Sequence, residues 1–483
     1  MIIYTKVFKS FRLAFILSIT TTFNVAHAQS TEQATARNYY IEAEASLKMK
    51  DYDRAEVMAK RAVDALGATN ARLISILMRA QWERHNYENA YAAAQQFMEY
   101  DLSSDLRVQF SPLVDKIYQY HDFSKNGEDL YGAPITVRVG GKSEPQIASN
   151  FDGSFSLALN KYGDEVREEL VRVDASGAIL DNITLKTRYF NWQTTGLGGD
   201  GSLTALAGKS FAKDKNLVRA NAKGKTLWSK RLKDTTGGYA SDKIISLPDA
   251  GVLVVGKTRN PAGYDLRRFS DRGKEMWRQT YSEVTGNGTG YVHYVGLPEG
   301  TIFQMGSTKP KAGIPTKIWI RKIDFTGKSL WTRFIGPPDR YAFPIFALSN
   351  KYGGLTVLSR SPELRLQELG PEGRIILEQV HDKLHPSRAE YRGMARLPNG
   401  GFAILKTIST RSTSNRLQLR VTTVELFNEQ LRRTAQLNLP ESAFYGQGIS
   451  TNKDGTIAIV GSTVTASTST APQLTDLYLF RPR

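Results

Sequence analysis

A turn containing glycine recurs seven times along the last three quarters of the chain, and this regularity limits the possible folds most. The turns are Asp152-Gly153, Asp200-Gly201, Asp249-Ala250-Gly251, Glu299-Gly300, Gly353-Gly354, Asn399-Gly400 and Asp454-Gly455. Their last glycines are 46 to 55 residues apart, and short β-runs flank each turn. Glycine adopts the positive φ of a tight hairpin without strain. This period, with about four strands per unit, predicts a mainly β chain that folds as a seven-bladed β-propeller over residues 130–483.

Three of the units share the string Gly-Lys-x-x-Trp in their second half. It runs from Gly224 to Trp228, from Gly273 to Trp277 and from Gly327 to Trp331. The string resembles the outer hairpin of the quinoprotein-like (PQQ-like) β-propellers, and the resemblance implies that these tryptophans dock between adjacent blades.

The same resemblance does not extend to catalysis. Quinoprotein dehydrogenases need a bound quinone, a calcium-ligating acid cluster and an adjacent-cysteine element. This chain has no cysteine, and its sequence contains no equivalent acid cluster. We therefore expect a non-catalytic member of the family, with no cofactor, no metal and no catalytic residue.

The last predicted blade is one strand short, because the chain ends soon after Asp476–Phe480. A spare strand, Ile135–Val139, precedes the first complete blade. We predict that this strand completes the last blade and closes the ring, which removes exposed sheet edges.

The segment before the propeller is predicted to be helical. Lys50-Asp51-Tyr52-Asp53-Arg54-Ala55 recurs as His85-Asn86-Tyr87-Glu88-Asn89-Ala90, at an offset of 35 residues. This pattern resembles two tetratricopeptide repeats, and it predicts a helical module over residues 30–125. The resemblance implies protein–protein contact through the helices, whether with a separate partner, with the propeller or with a second copy.

Residues 1–28 have the features of an export signal. Lys6, Lys9 and Arg12 precede the apolar run 13–23, and Ala26-His27-Ala28 matches a signal-peptidase site. The run is shorter than the roughly 20 apolar residues that a membrane span needs. We expect cleavage before Gln29, no remaining transmembrane anchor, and a periplasmic or secreted location in a bacterium.

Basic residues are unevenly distributed along the chain. The formal net charge is +17, whereas residues 29–125 contain 12 basic and 14 acidic residues. A basic propeller beside a near-neutral helical module predicts an anionic partner for the propeller, in its most specific form an acidic envelope polysaccharide. The alternative is a generally basic secreted surface. We expect no nucleic acid among the partners.

Aromatic residues recur shortly before the turn of successive blades, where the connections between blades gather around the central funnel. We take these aromatics and three neighbouring arginines as candidate ligand-binding residues, by stacking and ion pairing with a glycan. The candidates are Trp192, Tyr239, Tyr291, Tyr341, Tyr391, Tyr445, Arg340, Arg388 and Arg392. The alternative is that these side chains pack the inner blade edges.

Two motifs are typical of nucleotide or metal sites, but neither lies in the structural context that such a site needs. Gly251–Thr258 matches the P-loop string, but its centre is β-like and Pro261 stands where a helix should begin. His381 and His385 lie in a connection between blades and lack a third ligand.

The sequence thus favours an exported binding scaffold. An enzyme acting on envelope polysaccharide, with its site in the funnel, and a purely structural assembly subunit are the alternatives.

Overall fold

The computed structural model describes residues 32–100, 104–140, 143–161, 167–185, 192–207, 215–232, 243–259, 262–282, 292–308, 316–336, 342–360, 363–381, 389–411, 418–439, 444–464 and 473–483. The chain forms two compact units, Met1–Phe123 and Ser124–Arg483. The first is helical and the second is built of β-strands, so the predicted mainly β class with N-terminal helices is confirmed.

Between residues 32 and 130 the structure describes five helices that precede the strands. They are α1 (32–48), α2 (Tyr52–Leu66), α3 (Ala71–Glu83), α4 (Tyr87–Met98) and α5 (Ser104–Leu130). The repeated Tyr52 and Tyr87 open α2 and α4, as the sequence pattern predicts. Ala55 and Ala90, three residues further on, are fully buried, because a small side chain lets two helices approach closely. The core of the unit includes Ile74, Met78 and Phe97.

Among the described residues, twenty-eight strands form seven antiparallel four-stranded sheets. Blade 1 contains β2 (Ser143–Ser149), β3 (Phe155–Lys161), β4 (Arg167–Val173) and β5 (Ile179–Leu185); blade 2 contains β6 (Trp192–Leu197), β7 (Leu203–Ala207), β8 (Lys215–Ala220) and β9 (Thr226–Leu232); blade 3 contains β10 (Lys243–Ser246), β11 (Val252–Arg259), β12 (Ala262–Phe269) and β13 (Glu275–Ser282); blade 4 contains β14 (His293–Gly296), β15 (Ile302–Ser307), β16 (Ile318–Ile323) and β17 (Ser329–Ile335). Blade 5 contains β18 (Phe343–Ser349), β19 (Leu355–Arg360), β20 (Leu364–Leu369) and β21 (Ile375–His381); blade 6 contains β22 (Ala389–Arg396), β23 (Phe402–Arg411), β24 (Gln418–Phe427) and β25 (Arg433–Asn438); blade 7 contains β26 (Phe444–Thr451), β27 (Ile457–Val464), β28 (Gln473–Phe480) and β1 (Ile135–Gly140). The predicted seven-bladed propeller is confirmed.

The ring closes as predicted. Strand β1 pairs antiparallel with β28, with Ile135 opposite Leu479 and Val137 opposite Leu477. A further backbone bridge links Tyr131 to Pro482, outside the blade. The first strand of the propeller therefore supplies the outermost strand of its last blade.

The propeller core lies between successive blades. The first strand of each blade is innermost, since these strands contact one another in turn, as β18 contacts β22 and β22 contacts β26. Apolar side chains of neighbouring sheets interleave, as Leu253 of blade 3 does with Ile302 and Ile323 of blade 4. Each such fully buried side chain contributes about 1.5–3 kcal/mol through removal from water. Packing between blades therefore contributes to the stability of the propeller in addition to the hydrogen bonds within each sheet.

The hairpin turns follow the glycine pattern with two exceptions. In the turn Asp249–Gly251 the positive φ falls on Ala250, at 61°, where the sequence indicated glycine. In the last turn of blade 6 a fully buried leucine, Leu431, also has a φ of 61°. A non-glycine residue in this region costs free energy of roughly 1–2 kcal/mol.

Candidate functional site

Of the nine candidate ligand-binding residues, three are described with their side chains: Tyr391, Arg392 and Tyr445. The backbone of Trp192 opens β6 and pairs with Ala207. The remaining five candidates, Tyr239, Tyr291, Tyr341, Arg340 and Arg388, lie outside the described residues.

Two of the candidates come together on the inner strands of blades 6 and 7. The guanidinium carbon of Arg392 lies 4.6 Å from the centre of the Tyr445 ring. The Tyr445 hydroxyl donates a hydrogen bond of 2.8 Å to Oε2 of Glu390, and Arg392 forms an ion pair with the same carboxylate. Arg392 and Glu390 side chains remain 37% and 50% exposed, so this inner-strand cluster presents both charges to solvent. The sequence pattern missed Glu390, which belongs to no motif.

Tyr391 has a different environment from its neighbour Arg392, which is the extra residue where the register of β22 against β23 shifts between Tyr391 and Gly393. Its ring packs against the apolar cluster between blades 5 and 6 that contains Leu358 and Phe402. Burial raises the pKa of its hydroxyl, and the nearby Glu425 carboxylate raises it further. Tyr391 is thus a packing residue, whereas Arg392 and Tyr445 belong to an accessible cluster.

The inner strands of blades 3 and 4 begin with a cation and a histidine that the sequence did not single out. Nζ of Lys243 donates to the carbonyl oxygen of Val292 at 2.9 Å, and burial lowers the pKa of this amine. The His293 ring lies edge-on to Phe346, with ring centres 5.7 Å apart. Burial, and then the charge of Lys243, lower the pKa of His293 to about 4, so the imidazole is neutral near pH 7.

In each of the first three blades, an arginine of the third strand binds the turn between the first and second strands. Arg172, Arg219 and Arg268 occupy the same register position of the third strand, one residue before a register shift. Each pairs with the aspartate of its own turn, which is Asp152, Asp200 or Asp249 in chain order. Arg219 and Arg268 also donate to backbone carbonyls in the next blade, at Ala250 and Gly300. These arginines therefore join neighbouring blades.

Blade 5 departs from this pattern and leaves a cleft. Glu368 occupies the arginine position and accepts hydrogen bonds from Asn350 (2.6 Å) and Thr356 (2.7 Å). Arg396 of blade 6 reaches back instead, and donates to the Ser349 carbonyl oxygen at 2.8 Å. The resulting cleft of about 300 Å³ also contains Lys351, which is paired with Glu429. The charges of its two acidic side chains, Glu368 and Glu429, balance those of its two basic ones, Lys351 and Arg396.

The outer strands of blades 2, 3 and 4 carry the tryptophans of the Gly-Lys-x-x-Trp strings. Nε1 of Trp228 donates to the Asp271 carbonyl oxygen at 2.7 Å, and Nε1 of Trp277 donates to that of Phe325 at 2.9 Å. A Cβ added to Gly273 would lie 2.7 Å from the Trp228 ring, so only glycine leaves room for the indole. A Cβ added to Gly373 would likewise lie 2.6 Å from the Trp331 ring, so each tryptophan docks on the outer hairpin of the following blade, as the resemblance implied.

Charge is distributed very unequally among the blades. Residues 192–232, 243–282 and 293–335, which are blades 2, 3 and 4, contain eight, eight and seven basic residues against two, four and two acidic ones. Blade 1, residues 143–185, contains three basic and eight acidic residues, and blade 5, residues 343–381, contains four of each. Blade 6, residues 389–438, contains eight basic and three acidic residues, so the basic excess predicted for the propeller lies in the consecutive blades 2, 3 and 4 and again in blade 6.

The part of the chain that the structure describes gives little support for nucleotide or metal binding. The P-loop string falls largely within β11, as the sequence analysis expected. His381 is the last residue of β21 and pairs with Leu364, so its predicted place in a connection between blades is wrong; its Nε2 lies 3.0 Å from the Leu431 carbonyl oxygen. His385 is outside the described residues. Over the same residues, no three His, Asp or Glu side chains are grouped to hold a metal ion, and no helix is long and apolar enough to cross a membrane.

Comparison with known proteins gives distant structural similarity only. No family model and no curated protein matches the chain. The β-propeller domain of the Trilobed protease from Pyrococcus furiosus is 10% identical, covers 71% of this chain and 97% of its own, and has a TM-score of 0.41. A protein of unknown function from Dyadobacter fermentans is 11% identical, covers 73% of this chain and 99% of its own, and has a TM-score of 0.40. A second one, from Bacteroides caccae, is 12% identical, covers 64% of this chain and 94% of its own, and has a TM-score of 0.32. Similarity at this level does not indicate function.

Proposed function

We propose that this chain is an exported, non-catalytic binding scaffold, in which the basic propeller binds an anionic partner and the helical unit contacts a protein. The observation that carries the proposal is the charge distribution. Blades 2–4 together contain 23 basic and 8 acidic residues, whereas the helical segment 29–125 has a small acidic excess. A surface field of one sign attracts partners of the opposite sign and raises their local concentration.

We propose that residues 1–28 are removed on export, that the helices belong to the tetratricopeptide type, and that the blades belong to the quinoprotein-like type without its catalytic site. The equivalent starts of α2 and α4 support the tetratricopeptide type of the helices. The docking of Trp228 and Trp277 on the following blades supports the quinoprotein-like type of the blades.

Affinity purification from the envelope fraction of the native host tests the scaffold function. The tagged chain is captured at low ionic strength and washed with increasing salt, and the released material is analysed by mass spectrometry and by sugar analysis. An anionic polymer should elute in the salt steps, because salt screens exposed charges. A protein bound through an apolar helical surface should stay until the column is stripped. If only background proteins elute in every step, the scaffold function is wrong.

A further inference from the structure

The outer hairpins of blades 2, 3 and 4 form one continuous band along the rim of the propeller. We define this outer band as residues 221–232, 270–282 and 324–335. The bonds from Trp228 to Asp271 and from Trp277 to Phe325 fix each hairpin to the next one. The hairpins that carry these side chains are therefore fixed relative to one another before a ligand arrives, which reduces the entropy cost of binding.

Exposed cations line this band. They are Lys223, Lys225, Lys230, Arg231, Arg272, Lys274, Arg278, Lys328 and Arg333, against two exposed acids, Asp271 and Glu275. The hairpin of blade 2 is the extreme case, since residues 215–232 contain six basic residues and no acidic one. None of the five lysines in this set forms an ion pair with a described acidic side chain.

Protection of a free sheet edge does not account for this distribution. Lysines on edge strands often prevent edge-to-edge aggregation. The outer strands β5 and β21 are edge strands of the same kind, and they contain no lysine or arginine. If the cations served only as edge protection, blades 1 and 5 would need them as well, so the cations of blades 2–4 indicate a position-specific role.

Apolar surface repeats along the band in step with the blades. Leu227, Met276 and Leu330 are 52%, 56% and 50% exposed, and each directly precedes a half-buried tryptophan. A linear acidic polysaccharide has matching properties, since its sugar rings offer apolar C–H faces for indoles and its carboxylate or sulfate groups offer charges for lysines. A strand-adding peptide would engage a single edge strand. An anionic membrane would favour a contiguous apolar face, whereas here cations separate the apolar residues.

We propose that the outer band of blades 2–4 binds a linear acidic polysaccharide along the rim. This site differs from the inner-strand cluster around Tyr445, and the inference rests on the proposed function, which it deepens by naming the surface and the ligand class.

The test measures dissociation constants by titration calorimetry at low ionic strength, with the full chain. The probes are a heparin dodecasaccharide, an alginate oligomer, neutral dextran, polyglutamate of matched charge and vesicles containing phosphatidylglycerol. The band variant is Lys225→Glu/Lys230→Glu/Lys274→Glu. The control variant is Arg37→Glu/Lys48→Glu/Lys116→Glu, which alters exposed residues of the helical unit and changes the net charge equally.

We expect the parent to bind heparin or alginate more tightly than polyglutamate, and to leave dextran unbound. The band variant should bind the acidic sugar at least about tenfold more weakly, equal to about 1.4 kcal/mol. The control variant should stay within about twofold of the parent, and thermal melts should show that both variants remain folded.

Each contrary outcome identifies what fails. If both variants lose affinity for the acidic sugar equally, or if the band variant loses none, the outer band is not the binding site. The proposal of an anionic partner is then unaffected. Tighter binding of polyglutamate or of the vesicles overturns the polysaccharide class. Failure of the parent to bind any anionic probe contradicts the anionic arm of the proposed function itself.

Discussion

Arg138 on the first strand of the propeller donates from Nε to Oδ1 of Asp476 on the last strand, at 3.0 Å. Asp476 is fully buried, and its other oxygen accepts a 2.7 Å hydrogen bond from the Thr463 hydroxyl. The pair therefore joins two residues 338 positions apart at the point where the ring closes. A buried carboxylate is costly unless it is paired and hydrogen-bonded, so this contact couples side-chain chemistry to closure.

Replacing Arg138 with methionine should lower the free energy of unfolding by about 2 kcal/mol, because a charge-assisted hydrogen bond is lost and the buried Asp476 loses its cation. Asp476→Asn should also destabilise the chain. The double variant should lose less than the sum of the two, with a coupling of at least about 1 kcal/mol. Denaturant unfolding of the four proteins measures the cycle. Strict additivity would show that the pair does not contribute to closure.

The inter-blade tryptophans give a second prediction. Gly273→Ala should destabilise the propeller by more than about 2 kcal/mol, since alanine pays for a positive φ and its Cβ meets the Trp228 ring. Gly353→Ala is a matched control, because Gly353 has a similar φ of 72° with no atom within 4 Å of an added Cβ. Thermal melts should show a clearly larger fall for Gly273→Ala. Equal falls would mean that the indole moves aside without cost.

The architecture was largely predictable from local chemistry. Seven turns and one missing strand were enough to infer seven blades closed by residues 135–139, because a propeller cannot leave its end blade incomplete without exposing an edge. The individual turns were less predictable. Ala250 and Leu431 occupy positions where glycine is usual, and for Leu431 the compensation is burial against blade 5, which no local pattern reveals.

The site was predictable only in part. Spacing alone suggested that aromatics and arginines of successive blades meet, and Arg392 does contact Tyr445. Tyr391, one residue away, packs into the core instead, beside a register shift that the spacing of the aromatic residues does not reveal. Composition predicted a basic propeller, but the assignment of that charge to blades 2, 3, 4 and 6 depends on which strands belong to which sheet.

Stability should fall as the pH decreases from about 6.5 to about 4, through His293. Its pKa in the folded chain is about 4, because burial and Lys243 disfavour the charged ring, whereas an unfolded histidine titrates near 6.5. Between these values the unfolded chain binds more protons, so the contribution is complete above about pH 6.5 and is lost toward pH 4. His293→Gln should flatten the dependence of the melting temperature on pH in this window. An unchanged slope would contradict the assignment.

A second acid-sensitive group should act at lower pH. Burial alone would raise the pKa of Glu425, but Lys406, whose Nζ lies 3.1 Å from Oε1, and Arg433 outweigh it and lower the pKa to about 2. The unfolded carboxyl titrates near 4.3. The stabilising contribution of this carboxylate is therefore fully present above about pH 4.3 and is lost as the pH falls toward 2.

The substitution Glu425→Gln separates this effect from the other carboxyl groups of the chain. At neutral pH the variant should be less stable than the parent, because Lys406 and Arg433 keep their charges without the buried partner. As the pH falls below 4, the parent loses the same contribution, so the two melting temperatures should converge. Melts recorded from pH 7 to pH 2.5 measure the difference, and a difference that stays constant over this range would show that the Glu425 carboxylate does not stabilise blade 6.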